Sequence, residues 1–373
     1  MLQKAFHSRF ASLLLLFLLY WIVAAASMSG SMGKWALRDG NADFGIEQVL
    51  EDQASRPFAY RRLLPEAADI AERITPHSVK NYVAVKLSPH RTYTRATAAS
   101  NPKYAFRYVV IAYLCFGASL LSLVVLSALL RDLGFARLTA TLAPMAFILA
   151  FPFVQTLGGY YYDSVELLFL SSAALFAMRG HWIVLLALAV PATLNKEAFF
   201  FFVPSLYPML RIRHSRKLAL MTIAATMGIS GVVNAWIKWL YAGTGGDIAQ
   251  LHFLNNIEQY LSLSTYVQLE LTYGMVGPGS AFLGTLLILA IIVVRGWSYC
   301  PQVARQHLII AAALNLPLFL IFCAPGELRN LSMLFVGFVI LLAGVIDFQR
   351  SPAPVSPPDK SDAKLAPAQH ALG

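Results

Sequence analysis

The sequence contains few charged residues. Only 13% of its 373 residues are Asp, Glu, Lys or Arg, whereas 58% are hydrophobic. Soluble globular chains contain roughly 25% charged and roughly 45 to 50% apolar residues. The composition therefore excludes the soluble enzyme classes and nearly every DNA-binding fold, and it predicts a bilayer protein with many spans.

Cysteine is also scarce, and the familiar motifs of soluble enzymes are absent. Cys115, Cys300 and Cys323 are odd in number and far apart, so neither a disulfide framework nor a zinc site is indicated. The chain has no Walker lysine loop, dinucleotide fingerprint, His-Glu-x-x-His motif or Gly-x-Ser-x-Gly motif. The net charge of +10 comes mainly from basic residues in short breaks between apolar runs, so it indicates membrane topology and no nucleic-acid partner.

Apolar runs of bilayer length dominate the sequence, since a spanning helix needs roughly 20 apolar residues. The clear runs lie at roughly 11–27, 106–130, 138–157, 218–241, 279–294, 308–324 and 331–347. Three shorter runs between residues 160 and 210 predict tilted, kinked or partly re-entrant helices. We therefore predict an all-α, polytopic membrane helix bundle of about ten transmembrane helices within residues 1–350, with a large extracytoplasmic first loop at about residues 28–104.

The short basic breaks predict the orientation of the bundle. If ten helices alternate, these breaks fall on one face, which the positive-inside rule assigns to the cytoplasm together with both termini. The first run also resembles a cleaved signal peptide, but its length and Trp21 favour a retained anchor. The tail, residues 351–373, is rich in Pro, Ala and charge, which predicts a disordered cytoplasmic segment.

Most polar residues that interrupt the apolar runs fall on the predicted outer face. Ionisable groups at membrane depth are costly, so such a set is a candidate site. Each pair also has a purely structural interpretation. Asp163 and Glu166 have capping-box spacing, Asn195 and Glu197 can cap the next helix, and Glu327 with Arg329 can form an ordinary loop pair.

An arginine-rich segment stands out within the first loop. Residues 56–65 read Arg-Pro-Phe-Ala-Tyr-Arg-Arg-Leu-Leu-Pro and place three guanidinium groups among apolar and aromatic residues. Planar guanidinium forks suit a phosphate group. A surface helix that binds anionic lipid is the alternative.

These motifs, with Tyr-Tyr-Asp at 161–163, Asn-Lys-Glu at 195–197 and Glu-Leu-Arg at 327–329, together resemble small bacterial membrane proteins of the GT-C glycosyltransferase type. The resemblance covers most of the membrane region and rests on short motifs. It implies a protein of the bacterial inner membrane that moves a sugar from a polyprenyl-phosphate donor to a glycan, lipid or protein acceptor on the outer face, as in polysaccharide biosynthesis.

The resemblance also implies roles for individual residues. The catalytic acid of the family lies in the first external loop, and the matching position is Asp43, with Asp39 as the second choice. A carboxylate there acts as general base, and Arg61, Arg62 and Arg329 bind the donor phosphate. The pocket is then lined by Tyr60, Asp163, Glu166, Lys196, Glu197 and Glu327. No cofactor or metal ligand set is indicated, and a divalent cation shared by carboxylates is compatible but not required.

Two other functions fit the same residues. A transporter or flippase for a lipid-linked or anionic solute would use the arginines to bind the moving anion, although its polar groups normally lie at mid-membrane. A non-catalytic assembly subunit of the cell envelope would use the large first loop as a docking surface.

Overall fold

A computed structural model describes residues 2–272 and 275–350. About 75% of the chain is helical and almost none of it is strand, so the all-α prediction is confirmed. The predicted disordered tail, residues 351–373, lies outside the described residues.

The described part contains fifteen α-helices, six short 3₁₀ segments and one pair of short β-strands. The helices are α1 (Leu2–Trp35), α2 (Ile46–Leu50), α3 (Leu63–Ile74), α4 (His77–Lys86), α5 (Ala105–Asp132), α6 (Arg137–Val154), α7 (Asp163–Arg179), α8 (Trp182–Asn195), α9 (Ala198–Phe202), α10 (Tyr207–Leu210), α11 (Arg216–Leu240), α12 (Phe253–Leu261), α13 (Leu283–Tyr299), α14 (Gln302–Phe322) and α15 (Phe335–Arg350). Strands β1 (Leu269–Thr272) and β2 (Met275–Pro278) pair antiparallel.

Six helical segments among the described residues are long and apolar enough to cross a membrane. They are Phe10–Trp35, Ala105–Asp132, Arg137–Val154, Arg216–Leu240, Gln302–Phe322 and Leu328–Phe348. Three apolar helices are shorter: Trp182–Asn195, Ala198–Leu210 and Leu283–Tyr299. Large apolar side chains on these segments are exposed, for example Val232 and Val294, as expected for surfaces that face lipid. The structure thus supports a membrane protein, and the larger number of about ten spans stays a prediction.

The stretch from Trp182 to Leu210 is broken, as its short apolar runs predict. α8 ends at Asn195, and a 3₁₀ segment, Val203–Leu206, separates α9 from α10. Pro204 and Pro208 occur in this stretch, and proline lacks the N–H that continues an α-helical ladder. The break after Asn195 brings polar residues into the bundle without a continuous helix.

Residues 36–104, which we call the first loop, are folded against the bundle. Arg107 at the start of α5 holds this loop, because its Nη1 donates to Asp69 Oδ1 at 2.9 Å and to the Leu50 carbonyl at 3.2 Å. A hydrophobic cluster also joins first-loop residues such as Ile46 and Leu64 to α5 and α7. The first loop is therefore a packed cap on one end of the bundle.

Contacts between helix ends define the two ends of the bundle. At the end covered by the first loop, Trp35 Nε1 donates to the Gln155 carbonyl at 2.8 Å, and the Arg56 amide donates to the Gly245 carbonyl at 2.8 Å. The basic breaks of the sequence gather at the opposite end through three contacts: Arg179 with Asp132 at 2.6 Å, His214 with the Gly180 carbonyl at 2.9 Å, and Arg295 over the Phe348 ring at 5.1 Å.

α13 and α15 approach so closely that their contact depends on glycine. A Cβ atom built on Gly296 would lie 2.9 Å from the carbonyl carbon of Leu341, and one built on Gly344 would lie 2.7 Å from the Gly296 carbonyl oxygen. Real Cβ atoms do not approach backbone this closely, so any side chain here would push the helices apart.

We expect Gly296→Ala and Gly344→Ala each to destabilise the protein by about 1 to 3 kcal/mol, because overpacking forces backbone shifts. Gly228→Ala in α11 is the control, because nothing lies within 4 Å of its Cβ position. In that open helical position alanine should be neutral or stabilise by up to about 1 kcal/mol. Unfolding curves of the purified variants in mixed micelles test this, and equal effects at the three positions would contradict the close contact.

Candidate functional site

Seven charged side chains from four separate parts of the chain meet at the end of the bundle beneath the first loop. We call them the charged cluster: Arg61, Asp163, Glu166, Lys196, Glu197, Glu327 and Arg329. All seven were predicted as site residues. The structure thus brings together parts of the sequence that are more than 260 residues apart.

Arg61 connects the first loop to the break between α8 and α9. Its Nη2 donates to Glu197 Oε1 at 2.9 Å, and its Nη1 donates to the Tyr162 hydroxyl at 3.0 Å. The guanidinium also lies 4.6 Å from the centre of the Tyr162 ring. Arg61 is only 6% exposed, so the Glu197 carboxylate compensates its charge away from water.

Arg329 occupies the centre of the charged cluster. Its Nη1 lies 3.3 Å from Asp163 Oδ1 and 3.2 Å from the Tyr162 hydroxyl, and its Nη2 donates to Glu327. The guanidinium stacks 4.1 Å from the centre of the Tyr160 ring. Arg61 and Arg329 therefore share one phenol, which holds two like charges in fixed positions.

Lys196 and Glu166 form a buried ion pair beside Arg329. Lys196 Nζ lies 2.8 Å from Glu166 Oε2 and donates to Asn330 Oδ1 at 3.1 Å. Ser332 donates to the second Glu166 oxygen at 2.6 Å. Both charged side chains are at most 6% exposed, so each depends on the other for charge compensation.

The helix-capping interpretations of these motifs do not hold. Neither α7 nor α9 has a side-chain cap hydrogen bond. Asp163 Oδ2 instead accepts from the Tyr160 amide at 2.9 Å and from Gln155 Nε2 at 3.1 Å. Asn195 donates to the Tyr162 carbonyl at 3.0 Å. These polar groups hold segments together rather than start helices.

The charged cluster contains four carboxylates and three cations, and each cation already has a carboxylate partner. A donor phosphate would therefore have to displace a carboxylate from Arg61 or Arg329. Some polar atoms nevertheless lack a partner while buried, namely Nε of Arg61, Nε of Arg329 and Oε2 of Glu197. Buried polar atoms without partners are costly, and these three atoms can each still form a hydrogen bond.

Arg62 and Tyr60, which were also predicted as site residues, lie outside the charged cluster. Arg62 Nη1 lies 2.6 Å from Asp52, and its Nη2 lies 2.7 Å from Glu66. Its contacts stabilise the fold of the first loop itself. Tyr60 is buried at 5% exposure.

Asp39 is held by three hydrogen-bond donors. Its Oδ1 accepts from the Leu37 amide at 3.1 Å and from the Tyr108 hydroxyl at 3.0 Å, and its Oδ2 accepts from the Ala98 amide at 2.8 Å. Burial raises the pKa of the Asp39 carboxyl above its ordinary value, and the three hydrogen bonds act in the opposite direction.

A cleft of about 520 Å³ opens beside Asp39. We call it the first-loop cleft, and it is lined by Trp35, Arg38, Asp39, Gly40, Asn41, Arg95 and Thr97. Its position combines a fixed carboxylate with a concave surface, as a general base requires. Asp43, the other predicted base, is exposed and does not line the cleft, and Ser55 contacts its carboxylate at 3.5 Å.

The first-loop cleft and the charged cluster share one aromatic side chain. Arg38 at the cleft lies 5.3 Å from the centre of the Tyr160 ring, and Arg329 of the cluster lies 4.1 Å from the same centre. Tyr160 also stacks on Phe58 at 5.4 Å and on Tyr162 at 5.2 Å. The two sites are therefore neighbours at one end of the bundle.

Several residues at these two sites are not predicted from the sequence. They are Arg38, Arg95, Tyr108, Gln155, Asn330 and Ser332. Arg38 precedes Asp39 and Asn330 follows Arg329, so adjacency to a selected residue was an available signal for these two. For Tyr108 and Gln155, which look like ordinary residues of apolar helices, the sequence offers no such signal.

Within the described residues, no group of three or more His, Cys, Asp or Glu side chains is arranged to hold a metal ion. No family model matches this sequence, and no similar protein was found among curated proteins or among solved structures. Any functional conclusion therefore depends on the geometry of the two neighbouring sites.

Breaking the buried Lys196–Glu166 pair should be strongly destabilising. We expect Lys196→Met to lower the free energy of unfolding by about 3 to 5 kcal/mol, because it leaves the Glu166 charge buried and unpaired. Lys103→Met is the matched control, since Lys103 pairs with Glu51 at 2.7 Å but is 57% exposed. The control should have a much smaller effect. Similar losses for both variants in equilibrium unfolding would contradict a buried pair.

Proposed function

We propose that the protein is an integral membrane glycosyltransferase. It moves a sugar from a polyprenyl-phosphate donor to a glycan, lipid or protein acceptor on the extracytoplasmic face, with a first-loop carboxylate as general base. The observation that carries the proposal is the position of Asp39, a carboxylate fixed by three donors on the wall of a cleft beside a buried arginine cluster.

Asp39 suits the role of base better than Asp43 does. A general base has to be positioned as well as basic, and the contacts from Leu37, Ala98 and Tyr108 fix the Asp39 carboxylate while leaving acceptor capacity on Oδ2. Among the described residues, the exposed carboxylate of Asp43 receives a single hydrogen bond, from the Ser55 hydroxyl at 3.5 Å.

The proposed reaction is a single displacement. The acceptor hydroxyl oxygen attacks the anomeric carbon, its proton passes to the Asp39 carboxylate, and the bond from the anomeric carbon to the phosphate oxygen breaks. The leaving group is the polyprenyl phosphate, which retains the bonding electrons, and the anomeric configuration inverts. A positioned base of this kind typically contributes about 10²- to 10⁴-fold to the rate.

The charged cluster has a supporting role in this proposal. Arg61 and Arg329 pack against the Tyr162 and Tyr160 rings and so hold the aromatic side chains beside the cleft in fixed positions. Lys196 and Glu166 hold the ends of α7 and α8 at a fixed distance. No cofactor is part of the proposed step.

The proposal includes the finer topology predicted from the sequence: about ten spans, location in a bacterial inner membrane, and both termini in the cytoplasm. The four apolar stretches that complete the count are α7, α8, α9 with α10, and α13, each shorter than an ordinary span. The first loop then lies on the extracytoplasmic side of the membrane.

This topology predicts which side of the membrane each loop reaches. In a background with Cys115, Cys300 and Cys323 replaced by serine, Thr92→Cys in the first loop should react with a membrane-impermeant maleimide in intact cells. Lys217→Cys, at the opposite end of the bundle, should react only after the membrane is permeabilised. Both positions are exposed, so accessibility within the protein is matched. The reverse labelling pattern would contradict the proposed orientation.

The pH dependence of sugar transfer tests the base. Because burial raises the pKa of Asp39, transfer should increase with pH above the ordinary range of an aspartate, as the carboxyl loses its proton. Tyr108→Phe removes a donor that stabilises the carboxylate, so it should shift this rise to still higher pH. Transfer from a short-chain polyprenyl-phosphate sugar by the purified protein in nanodiscs is the measurement.

Substitution of the two candidate acids completes this test. Asp39→Asn should reduce transfer by about 10²- to 10⁴-fold, and Asp43→Asn should retain most of it. The opposite ranking would make Asp43 the base. Full transfer by both variants would exclude a first-loop aspartate as base. If the wild-type protein instead moves the donor across the bilayer without transferring its sugar, the protein is a flippase.

A further inference from the structure

All acidic residues of the first loop lie in one half of its sequence. Residues 39–72 contain eight acidic residues, whereas residues 73–104 contain six Lys or Arg and no acid. The first-loop cleft lies where these halves meet, because the Ala98 amide of the basic half donates to Asp39 of the acidic half. The cleft therefore takes side chains from both halves.

Most acids of the first half are already paired with basic side chains away from the cleft. The pairs are Glu51 with Lys103, Asp52 and Glu66 with Arg62, and Asp69 and Glu72 with Arg107. Asp39 lines the cleft, but three donors satisfy its carboxylate. Among the described residues, neither Arg38 nor Arg95 forms an ion pair with a carboxylate, although the Asp39 carboxylate lines the same cleft.

Arg38 is held in place by aromatic rings alone. Its guanidinium lies 5.1 Å from the ring centre of Trp35, 5.0 Å from that of Phe44 and 5.3 Å from that of Tyr160. Among the described residues it has neither a hydrogen-bond acceptor nor a carboxylate partner. Stacking covers the faces of a guanidinium and leaves its N–H edges to bind a second group, for which phosphate oxygens have the matching geometry.

The backbone at Arg38 supports a binding role. Arg38 has a φ of 65° and Ala36 a φ of 50°, so two residues with side chains occupy the left-handed region. Such conformations are unfavourable for residues other than glycine, and they persist where surrounding contacts enforce them, often at binding sites. The residue with this backbone conformation is the one whose guanidinium packs on the aromatic rings beside the cleft.

Arg95 supplies a second guanidinium from the basic half of the loop. It is exposed, and Nη1 donates to the Lys34 carbonyl at 3.0 Å, which is a neutral partner. The Asp39–Ala98 hydrogen bond fixes its segment at the cleft. Arg38 and Arg95 thus offer two separate donor groups to one anion.

The remaining lining residues suit a sugar. The indole of Trp35 lines the cleft beside Arg38, and Thr97 is exposed. Asn41 Oδ1 accepts from the amides of Asp43 and Phe44, so its NH₂ group is the part left for a ligand. The volume of about 520 Å³ lies in the usual range of small-molecule sites, about 300 to 1,000 Å³.

We propose that the first-loop cleft binds the phosphate of a glycosyl phosphate through Arg38 and Arg95, with Trp35, Asn41 and Thr97 contacting the sugar. The identity of the sugar-bearing ligand rests on the proposed function, whereas the phosphate contact rests on the cleft itself. This assignment moves the donor phosphate from Arg61, Arg62 and Arg329, which carboxylates already occupy, to two arginines without carboxylate partners.

Direct binding measurements on the full-length protein in nanodiscs test this proposal. The probes are inorganic phosphate, glucose 1-phosphate and farnesyl phosphate, and the variants are Arg38→Gln and Arg95→Gln. Arg91→Gln is the matched control, because Arg91 is an exposed arginine of the same basic half that does not line the cleft. Each cleft variant should bind phosphate about tenfold more weakly or worse, since each loses a charge-assisted hydrogen bond, and the control should bind as the wild type does.

The three probes distinguish the source of the phosphate. Tightest binding of farnesyl phosphate indicates a lipid-linked donor, and tightest binding of glucose 1-phosphate indicates a soluble one. Either result supports the cleft, provided that both cleft variants weaken it. Wild-type affinity in Arg95→Gln, whose side chain is exposed, would overturn the proposal, as would no binding of any probe.

Sugar-transfer assays separate this proposal from the proposed function. If Arg38 and Arg95 are required for phosphate binding but no sugar donor supports transfer, the cleft assignment stands and the glycosyltransferase proposal fails. If wild-type protein transfers sugar and both glutamine variants transfer it equally well, the function stands and the cleft assignment fails. Size-exclusion profiles of each variant show whether the protein is folded before either result is used.

Discussion

Pairing of buried charges is the constraint on which the rest of this structure depends. Arg61, Lys196 and Arg329 are almost completely buried, and an unpaired buried charge costs several kcal/mol. Their carboxylate partners come from other segments of the chain, so the pairs also fix the positions of those segments. The Arg61–Glu197 pair in particular holds the first loop on the bundle. Detaching the loop would expose the charges of Arg61 and Glu197 or leave them without a partner.

The same constraint determines which side chains stay accessible at this end of the bundle. Because Arg61 and Arg329 are paired inside the bundle, they stabilise the aromatic layer of Tyr160 and Tyr162 above them. That layer in turn supports Arg38 at the wall of the first-loop cleft. The fold thus separates a buried layer of ion pairs, which gives rigidity, from an accessible layer whose arginines form no ion pair among the described residues. Ligand binding needs accessible arginines, and precise positioning of the ligand needs the rigidity of the buried layer.

The sequence predicts the larger features of this fold well. Long apolar runs predict membrane helices because hydrophobicity is a local property, and the polar motifs around Asp163, Lys196 and Arg329 interrupt those runs visibly. Which of these motifs pair depends on the tertiary fold of the chain, and local sequence patterns do not predict it. For the same reason the capping interpretations of Asp163 and Asn195 looked equally good in the sequence. Arg38 was not predicted because only the fold shows that its guanidinium packs on aromatic rings and forms no ion pair with a described carboxylate.

The rigidity of the charged cluster also bears on the choice between an enzyme and a transporter. Alternating access requires two arrangements of similar free energy, so contacts near the binding site have to break and re-form in each cycle. Here the ion pairs of Arg61, Lys196 and Arg329 connect the first loop, α7, the α8–α9 break and the segment before α15 in one network. Moving any one of these elements would leave buried charges without partners. A network of this kind favours a fixed site at one end of the bundle, and a fixed site suits bond-making better than transport.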